Sequence, residues 1–319
     1  MGAAGYACGK VILLGEHAVV YGVPAIAVGI DRGVRARAVP LEHGPSRLAV
    51  RDWEIAVRED DEKHDLARAL RALLGAGRGD GSRLPPHSVE VEADLPPGGG
   101  LGCSAAMGVA IARAVDPRAG YDAIQARAMA WERVFHGNPS GVDAAVAARA
   151  GCICFRKGEP LESVRVRGGA LHLAIGSTGT VSSTKSMVEA VARLRERRPQ
   201  IVEQSFEAMR TLVSNARLAI EAGDHVALGR LMDLNQMLLG GLFVSSPEIE
   251  HLCALARGSG AFGAKLTGAG GGGSVVALVA SRASAEVVLA AWKAAGFDGF
   301  AASVAQEARA RSLESETAP

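Results

Sequence analysis

A strand pattern, a proline–glycine turn and an apolar helix pattern follow one another in residues 87–115. Residues 87–95, HSVEVEADL, alternate apolar and polar side chains, which predicts a half-buried strand. In the following PPGGGLG the prolines end that strand, and the glycines leave backbone N–H groups free to converge. A helix that begins there adds its own unpaired N–H groups and its positive dipole end. The segment therefore predicts a cradle for an anion, and a phosphate suits it best.

Glycine content alone is weak evidence for this cradle, because 40 of the 319 residues are glycine. A tight strand-to-helix connection without a ligand would leave the same pattern, so both interpretations stay open on these residues alone. No Gly-Lys-Ser or Gly-Lys-Thr follows the glycines, which disfavours the common nucleoside-triphosphate fold.

Composition limits the partners of the chain. Lys plus Arg (35) and Asp plus Glu (34) nearly cancel, so we expect neither a nucleic-acid partner nor an anionic membrane surface. Five cysteines without a zinc spacing favour a reducing compartment. The sequence also lacks a membrane-length apolar run and a signal-peptide pattern, so we expect a cytoplasmic protein.

The secondary-structure pattern changes near residue 180. Short strand patterns prevail before it, and long helical patterns follow over 184–198, 201–223, 225–241 and 247–257. We expect an α+β protein with one domain over 1–180 and a second over 181–319. The second domain carries another glycine loop, TGAGGGGS, at 267–274.

Several ionisable residues stand in otherwise apolar segments. Lys10, Glu16 and His17 lie in a predicted apolar hairpin, where a functional site and a solvent-facing polar edge are about equally well supported. Glu132 lies on a predicted helix one turn before His136, and a solvated ion pair would explain that spacing.

The segment HGNPSGVD, residues 136–143, allows two interpretations of its aspartate. Ser140 followed by Asp143 fits a capping box at the start of a helix. Asp143 could instead serve chemistry, and the segment alone favours the cap.

Three separated segments together resemble the signature motifs of the galactokinase, homoserine kinase, mevalonate kinase and phosphomevalonate kinase superfamily. They are ACGKVILLGEHAVVYG (7–22), PPGGGLGCSAA (96–106) and KLTGAGGGGS (265–274). Within that superfamily, GEHAVVYG and HGNPSGVD resemble the mevalonate kinase branch. The resemblance implies a mixed α/β N-terminal kinase domain and a ferredoxin-like C-terminal domain, with the active site in the cleft between them. It also implies a homodimer.

The resemblance implies a role for each motif residue. Asp143 would orient or accept the proton of the substrate hydroxyl, and Lys10 would lie beside it. Ser104 and Glu132 would hold Mg²⁺. The ATP phosphates would lie against Pro97, Gly98, Gly99, Gly100, Leu101, Gly102, Cys103, Ser104 and Ala105. The substrate, mevalonate, would contact Glu16, His17, Thr184, Gly268, Ala269 and Gly270.

Two residues depart from the family pattern. Cys8 replaces the usual proline of the first motif, and Cys103 replaces the first serine of the second. At a helix N-terminus inside an anion cradle, Cys103 would ionise more readily than a free cysteine. We therefore expect a reactive thiolate that alkylating agents reach and that bound ATP protects.

Other functions of the same superfamily remain possible on the sequence alone: another small-molecule kinase, or a decarboxylase acting on diphosphomevalonate. A substrate with several phosphates should demand several cleft cations, and the motif segments offer Lys10, Lys185 and Lys265. A catalytically inactive ligand sensor would be expected to have lost Asp143, Lys10 or Glu132.

Overall fold

The computed structural model of this chain describes residues 2–77, 82–136, 139, 141–180 and 182–304. Its strands are β1 (Ala3–Leu14), β2 (Ala25–Pro40), β3 (Arg47–Val50), β4 (Ile55–Arg58), β5 (His87–Ala93), β6 (Cys152–Phe155), β7 (Glu162–Ser163), β8 (His172–Ser177), β9 (Gly263–Thr267), β10 (Ser274–Val279) and β11 (Gly299–Ser303). Its α-helices are α1 (Asp65–Leu74), α2 (Cys103–Val115), α3 (Tyr121–His136), α4 (Val142–Arg149), α5 (Thr184–Arg197), α6 (Pro199–Ala222), α7 (His225–Gly241), α8 (Pro247–Gly258) and α9 (Arg282–Ala294). Short 3₁₀ helices span Ala18–Tyr21 and Arg51–Trp53.

The first sheet is organised around β2. Its strands follow the order β4-β3-β5-β2-β6-β7, and β1 also pairs with β2 in antiparallel register. Helix α2 packs on β1 and β2 and is itself covered by α3 and α4. Because it is surrounded in this way, every residue of α2 except Ser104 and Arg113 is buried. This explains its Ala- and Val-rich sequence without a polar face.

The second sheet is antiparallel, with the order β11-β8-β10-β9. Numbered along the chain, these are its fourth, first, third and second strands, which is the ferredoxin-like arrangement. Helices α7 and α8 pack on β9, and α9 packs on β8 and β11. Trp292 of α9 is fully buried there and its indole N–H donates to the Leu252 carbonyl at 2.9 Å. The expected α+β class is confirmed.

Strand β2 is longer than the sequence predicts. The residue pattern predicts a strand over 23–30 and further short strands over 34–57, whereas β2 continues without a break to Pro40. Its first half is buried on both sides, and in its second half buried Val34, Ala36 and Ala38 alternate with exposed residues. Because the burial pattern changes within the strand, the sequence pattern resembles separate short strands instead of one long strand.

The two sheets meet along a seam that includes β1 and β9. The Ile12 N–H donates to Thr267 Oγ1 at 3.0 Å, and one apolar core contains residues of both sheets. Since β8 already belongs to the second sheet, the sheets divide between Ser163 and His172. The domain boundary near residue 180 stays a prediction. Among the described helices none has the length and apolar character of a membrane span.

Candidate active site

A cavity of about 530 Å³ lies in the seam between the sheets, a size typical of small-molecule sites. Residues from β1, the α2 N-terminus, α3, α4, the α5 N-terminus and the second glycine loop line it. All the site residues predicted from the sequence line this one cavity: Lys10, Glu16, His17, Pro97, Gly98, Gly99, Gly100, Leu101, Gly102, Cys103, Ser104, Ala105, Glu132, Asp143, Thr184, Gly268, Ala269 and Gly270. Their individual roles stay predictions.

The glycine turn before α2 has the backbone that an anion cradle needs. Gly98, Gly100 and Gly102 adopt positive φ angles of 71°, 74° and 71°. Gly102 caps α2 without a side-chain hydrogen bond to the first helical N–H groups. A Cβ atom at Gly102 would lie 2.7 Å from Lys10 Cγ, so this position also keeps space for the lysine.

Lys10 and Asp143 form an ion pair at the cavity wall. Lys10 Nζ lies 3.1 Å from Asp143 Oδ1, with the lysine side chain 4% exposed and the aspartate side chain 35% exposed. Asp143 stands in the first turn of α4, whose N-cap is Gly141. The capping-box partner, Ser140, lies outside the described residues. Asp143 thus faces a buried cation and keeps one side open to the cavity.

Glu132 is buried, unlike the solvated helix position that its spacing allowed. Its Oε1 accepts a hydrogen bond from Ser104 Oγ at 2.5 Å. Burial, reinforced by the nearby Asp143 charge, raises the pKa of Glu132 to about 7, against the opposing effects of Ser104 and Lys10. His136 Nε2 lies 3.7 Å from Glu132 Oε2, and burial lowers the pKa of this histidine.

The Ser104–Glu132 pair fits a divalent cation. Burial is the main cause of the raised Glu132 pKa, so a bound cation would stabilise the carboxylate, and both side chains offer hard oxygen atoms. No cluster of three or more His, Cys, Asp or Glu side chains suited to a metal occurs among the described residues. Mg²⁺ suits such a sparse site, since it is usually held by one or two protein ligands, phosphates and water.

Glu16 and His17 are held by residues of α7, β9 and the second glycine loop. Glu16 is fully buried; Lys265 Nζ contacts its Oε1, and Asn235 Nδ2 donates to its Oε2 at 3.1 Å. His17 Nε2 donates to the Ala269 carbonyl at 2.8 Å. Burial lowers the pKa of His17, and the bond to Ala269 opposes this effect.

The second glycine loop packs directly on the first. A Cβ atom at Gly268 would lie 3.3 Å from Gly100 Cα, and Ser274 Oγ donates to the Gly99 carbonyl at 2.7 Å. Ser182, just before α5 begins at Thr184, donates its Oγ hydrogen to the Gly270 carbonyl of the second loop. The two loops and the α5 N-terminus therefore all contribute to the cavity wall.

The expected reactive thiolate at Cys103 is wrong. The Cys103 side chain points towards the Leu95 carbonyl, 3.9 Å from Sγ, and the residue is only 7% exposed. Burial, together with the negative charge of Glu132, raises the pKa of its thiol to about 12. Desolvation and a neighbouring carboxylate both disfavour the thiolate, which is opposite to the effect expected from the helix dipole. Burial likewise raises the pKa of Cys8 to about 12.

Sequence reasoning missed an apolar wall of the cavity, to which Trp53, Leu66, Met107 and Phe135 contribute. These residues come from four distant segments, and no local pattern links them. It also missed the position of Lys265. This lysine is absent from the cavity lining and contacts Glu16 instead, so it is not the free cleft cation that its motif suggested.

These features suit phosphoryl transfer to a small molecule, and two family profiles match the chain. The profile of the GHMP kinases N terminal domain matches residues 64–151, and that of the GHMP kinases C terminal region matches 216–298. The chain is 34% identical over 313 residues to the mevalonate kinase of Aeropyrum pernix, covering 94% of this chain and 95% of that protein. It is 33% identical over 295 residues to the mevalonate kinase of Pyrococcus abyssi, covering 86% and 87%.

Solved structures give the same result. The crystal structure of L. major mevalonate kinase in complex with R-mevalonate superposes with a TM-score of 0.81 at 28% identity, covering 95% of this chain and 96% of that one. The Methanococcus jannaschii mevalonate kinase, at 21% identity, shares the fold with a TM-score of 0.81 and covers 96% and 99%. The chain belongs to the GHMP kinase family, and the relatives named above are mevalonate kinases.

Proposed function

We propose that this protein is a mevalonate kinase, which transfers the γ-phosphoryl group of ATP to the 5-hydroxyl of mevalonate and forms 5-phosphomevalonate. The observation that carries this proposal is the Lys10–Asp143 pair, half open to a cavity whose adjoining wall is a glycine cradle at a helix N-terminus. Phosphoryl transfer depends mainly on alignment and charge neutralisation, and this arrangement can provide both.

Within this function, the N–H groups of residues 98–105 bind the ATP phosphates, and the α2 dipole adds favourable potential. Asp143 Oδ accepts the hydrogen bond of the 5-hydroxyl and takes its proton as the phosphate transfers. Lys10, buried at the base of Asp143, holds this carboxylate in place and offsets negative charge at the reacting oxygen.

Ser104 and Glu132 are the residues that would hold Mg²⁺ in this site. When bound, the ion neutralises phosphate charge and orients the nucleotide. The chain's own contribution is to place two oxygen donors next to the cradle and to keep the carboxylate away from bulk water.

The opposite side of the cavity receives mevalonate in this proposal. Its contacts would be His17, the backbone of Gly268, Ala269 and Gly270, and Thr184 at the start of α5, all of which line the cavity. A homodimer and a cytoplasmic location stay predictions, supported by the family resemblance and by the cysteine usage.

The decarboxylase alternative finds little support in the cavity charges. Of the three cations in the motif segments, Lys265 contacts Glu16 and Lys10 pairs with Asp143, which leaves Lys185 at the rim. A substrate with three anionic groups would lack counter-charges among the described cavity residues.

The test is ADP release in the presence of ATP and Mg²⁺ with a panel of mevalonate, phosphomevalonate, diphosphomevalonate, galactose and homoserine. We expect turnover with mevalonate and at least about a hundredfold lower kcat/KM for the others, about 2.7 kcal/mol of discrimination. Turnover with another member of the panel but not with mevalonate would overturn the proposal.

A further inference from the structure

A fully buried ion pair joins the two halves of the molecule at the wall of the cleft. Lys265 of β9 contacts the Glu16 carboxylate, and neither side chain has exposed surface. The Lys265 ammonium also donates to the Leu266 carbonyl, and Asn235 of α7 occupies the second oxygen of Glu16. Both carboxylate oxygens of Glu16 thus have hydrogen-bond partners, one on β9 and one on α7.

The Glu16 carboxylate would repel an anionic ligand, and the Lys265 charge offsets this repulsion. Glu16 belongs to the cavity wall, with its carboxylate just behind the surface, and Lys265 does not belong to that wall. The cavity is built for anions, because the cradle and the adjacent helix N-terminus present positive potential. A buried carboxylate in its wall would repel a carboxylate or phosphate ligand unless a cation neutralised it. Burial raises the pKa of Glu16 and lowers that of Lys265, and each partner's charge opposes the other's shift.

We propose that Lys265 is a positioning residue for the acceptor substrate: by neutralising Glu16 it makes the Glu16–His17 wall able to accept an anionic molecule. The inference rests on the proposed function, since mevalonate is a carboxylate. Lys265 acts through Glu16 and touches neither substrate. Glu16 in turn contributes a compensated charge and a fixed position, because its oxygens already have partners.

This assignment predicts opposite effects for the two single variants. Lys265→Met removes the counter-charge, so burial raises the pKa of Glu16 further. At the alkaline end of the working pH range, where Glu16 is ionised, the KM for mevalonate should rise about tenfold, the effect of one uncompensated charge beside a partly solvated anion. Glu16→Gln leaves Lys265 without its counter-charge, and at the acid end of that range, where Lys265 is protonated, this KM should fall. A purely structural pair would behave differently, because each substitution breaks the same contact and both KM values would rise.

The experiment measures KM for mevalonate, KM for ATP, kcat and Tm in the parent, both single variants and the Glu16→Gln/Lys265→Met double variant. We expect ATP KM within about twofold throughout, and mevalonate KM of the double variant within about threefold of the parent, since its wall is neutral. The singles should lose Tm and the double should regain part of it, because a lone buried charge destabilises more than an absent pair.

Arg127→Met is the matched control. Arg127 is 1% exposed and pairs with Asp116 at 2.8 Å outside the cavity, so its loss should lower Tm and leave both KM values unchanged. If Lys265→Met fails to fold, Glu16→Gln and the double variant still decide. A raised mevalonate KM in Glu16→Gln would overturn the inference, as would a double variant with a KM far above the parent's. If the parent itself does not phosphorylate mevalonate, the proposed function fails before any variant is compared.

Discussion

Two lysine–carboxylate pairs flank the cleft, and they differ in how far water reaches them. In the Lys10–Asp143 pair the carboxylate is 35% exposed, whereas the Lys265–Glu16 pair is wholly buried. An exposed carboxylate held by a buried cation can meet a substrate hydroxyl and exchange a proton. A carboxylate with both oxygens occupied cannot do so without breaking its bonds. The difference separates a carboxylate placed for proton transfer from a carboxylate held in a fixed, charge-compensated position.

Asp143→Ala removes the carboxylate of the Lys10–Asp143 pair and should have the largest effect on activity. We expect kcat to fall by about three orders of magnitude or more while ATP affinity is kept, because the cradle remains intact. Steady-state kinetics and nucleotide binding measure the two quantities. Asp65→Ala is the control, since Asp65 lies in the first turn of α1 with an exposed side chain. An Asp143→Ala enzyme with parental kcat and about 1 kcal/mol lower stability would assign Asp143 to helix capping.

Glu132→Gln and Ser104→Ala test whether the Glu132 carboxylate takes part in the reaction, as the Lys10–Asp143 pair does. Ser104→Ala removes a predicted oxygen ligand and Glu132→Gln weakens one, so the Mg²⁺ concentration for half-maximal activity should rise about tenfold in each variant. The measurement is a Mg²⁺ titration at fixed ATP. Parental titration curves for both variants would remove the metal assignment.

Gly102→Ala tests the position of Lys10 separately from its charge, because it displaces the lysine side chain and leaves the ammonium group present. The new Cβ atom would meet Lys10 Cγ at 2.7 Å, so we expect about a tenfold loss of kcat in addition to backbone strain. Gly44→Ala is the matched control, because Gly44 also has a positive φ, of 87°, and nothing lies within 4 Å of its Cβ position. Both variants should lose about 1–2 kcal/mol of stability, and equal activities would contradict the steric account.

Cys103→Ser should have the smallest effect. The thiol is buried and its pKa is raised to about 12, so it stays protonated between pH 7 and 9. We expect activity within about twofold of the parent and slow alkylation at Cys103 over this pH range. Peptide mapping after treatment with iodoacetamide checks the second point. Rapid, ATP-sensitive modification of Cys103 would show that its side chain faces the cradle.

The sequence alone predicted the cradle and the two glycine loops, because glycine runs and strand-to-helix transitions are local patterns. It also indicated Lys10, Glu132 and Asp143, through motif resemblance. The Lys265–Glu16 pair could not be predicted, since its members are 249 positions apart and meet only when the sheets pack. The burial of Cys103 was missed for a related reason. Its side chain turns towards Leu95 inside the core, a direction that helix-dipole reasoning does not specify.

The most direct test of the account is the position of the phosphate on the product. After incubation of the parent enzyme with mevalonate, ATP and Mg²⁺, phosphorus NMR and mass spectrometry identify which oxygen carries the new phosphoryl group. If Asp143 orients the primary hydroxyl towards the cradle, the product is 5-phosphomevalonate, formed in equal amount to ADP. A phosphate on the 3-oxygen, or ADP formed without phosphorylated mevalonate, would contradict the arrangement proposed for this cleft.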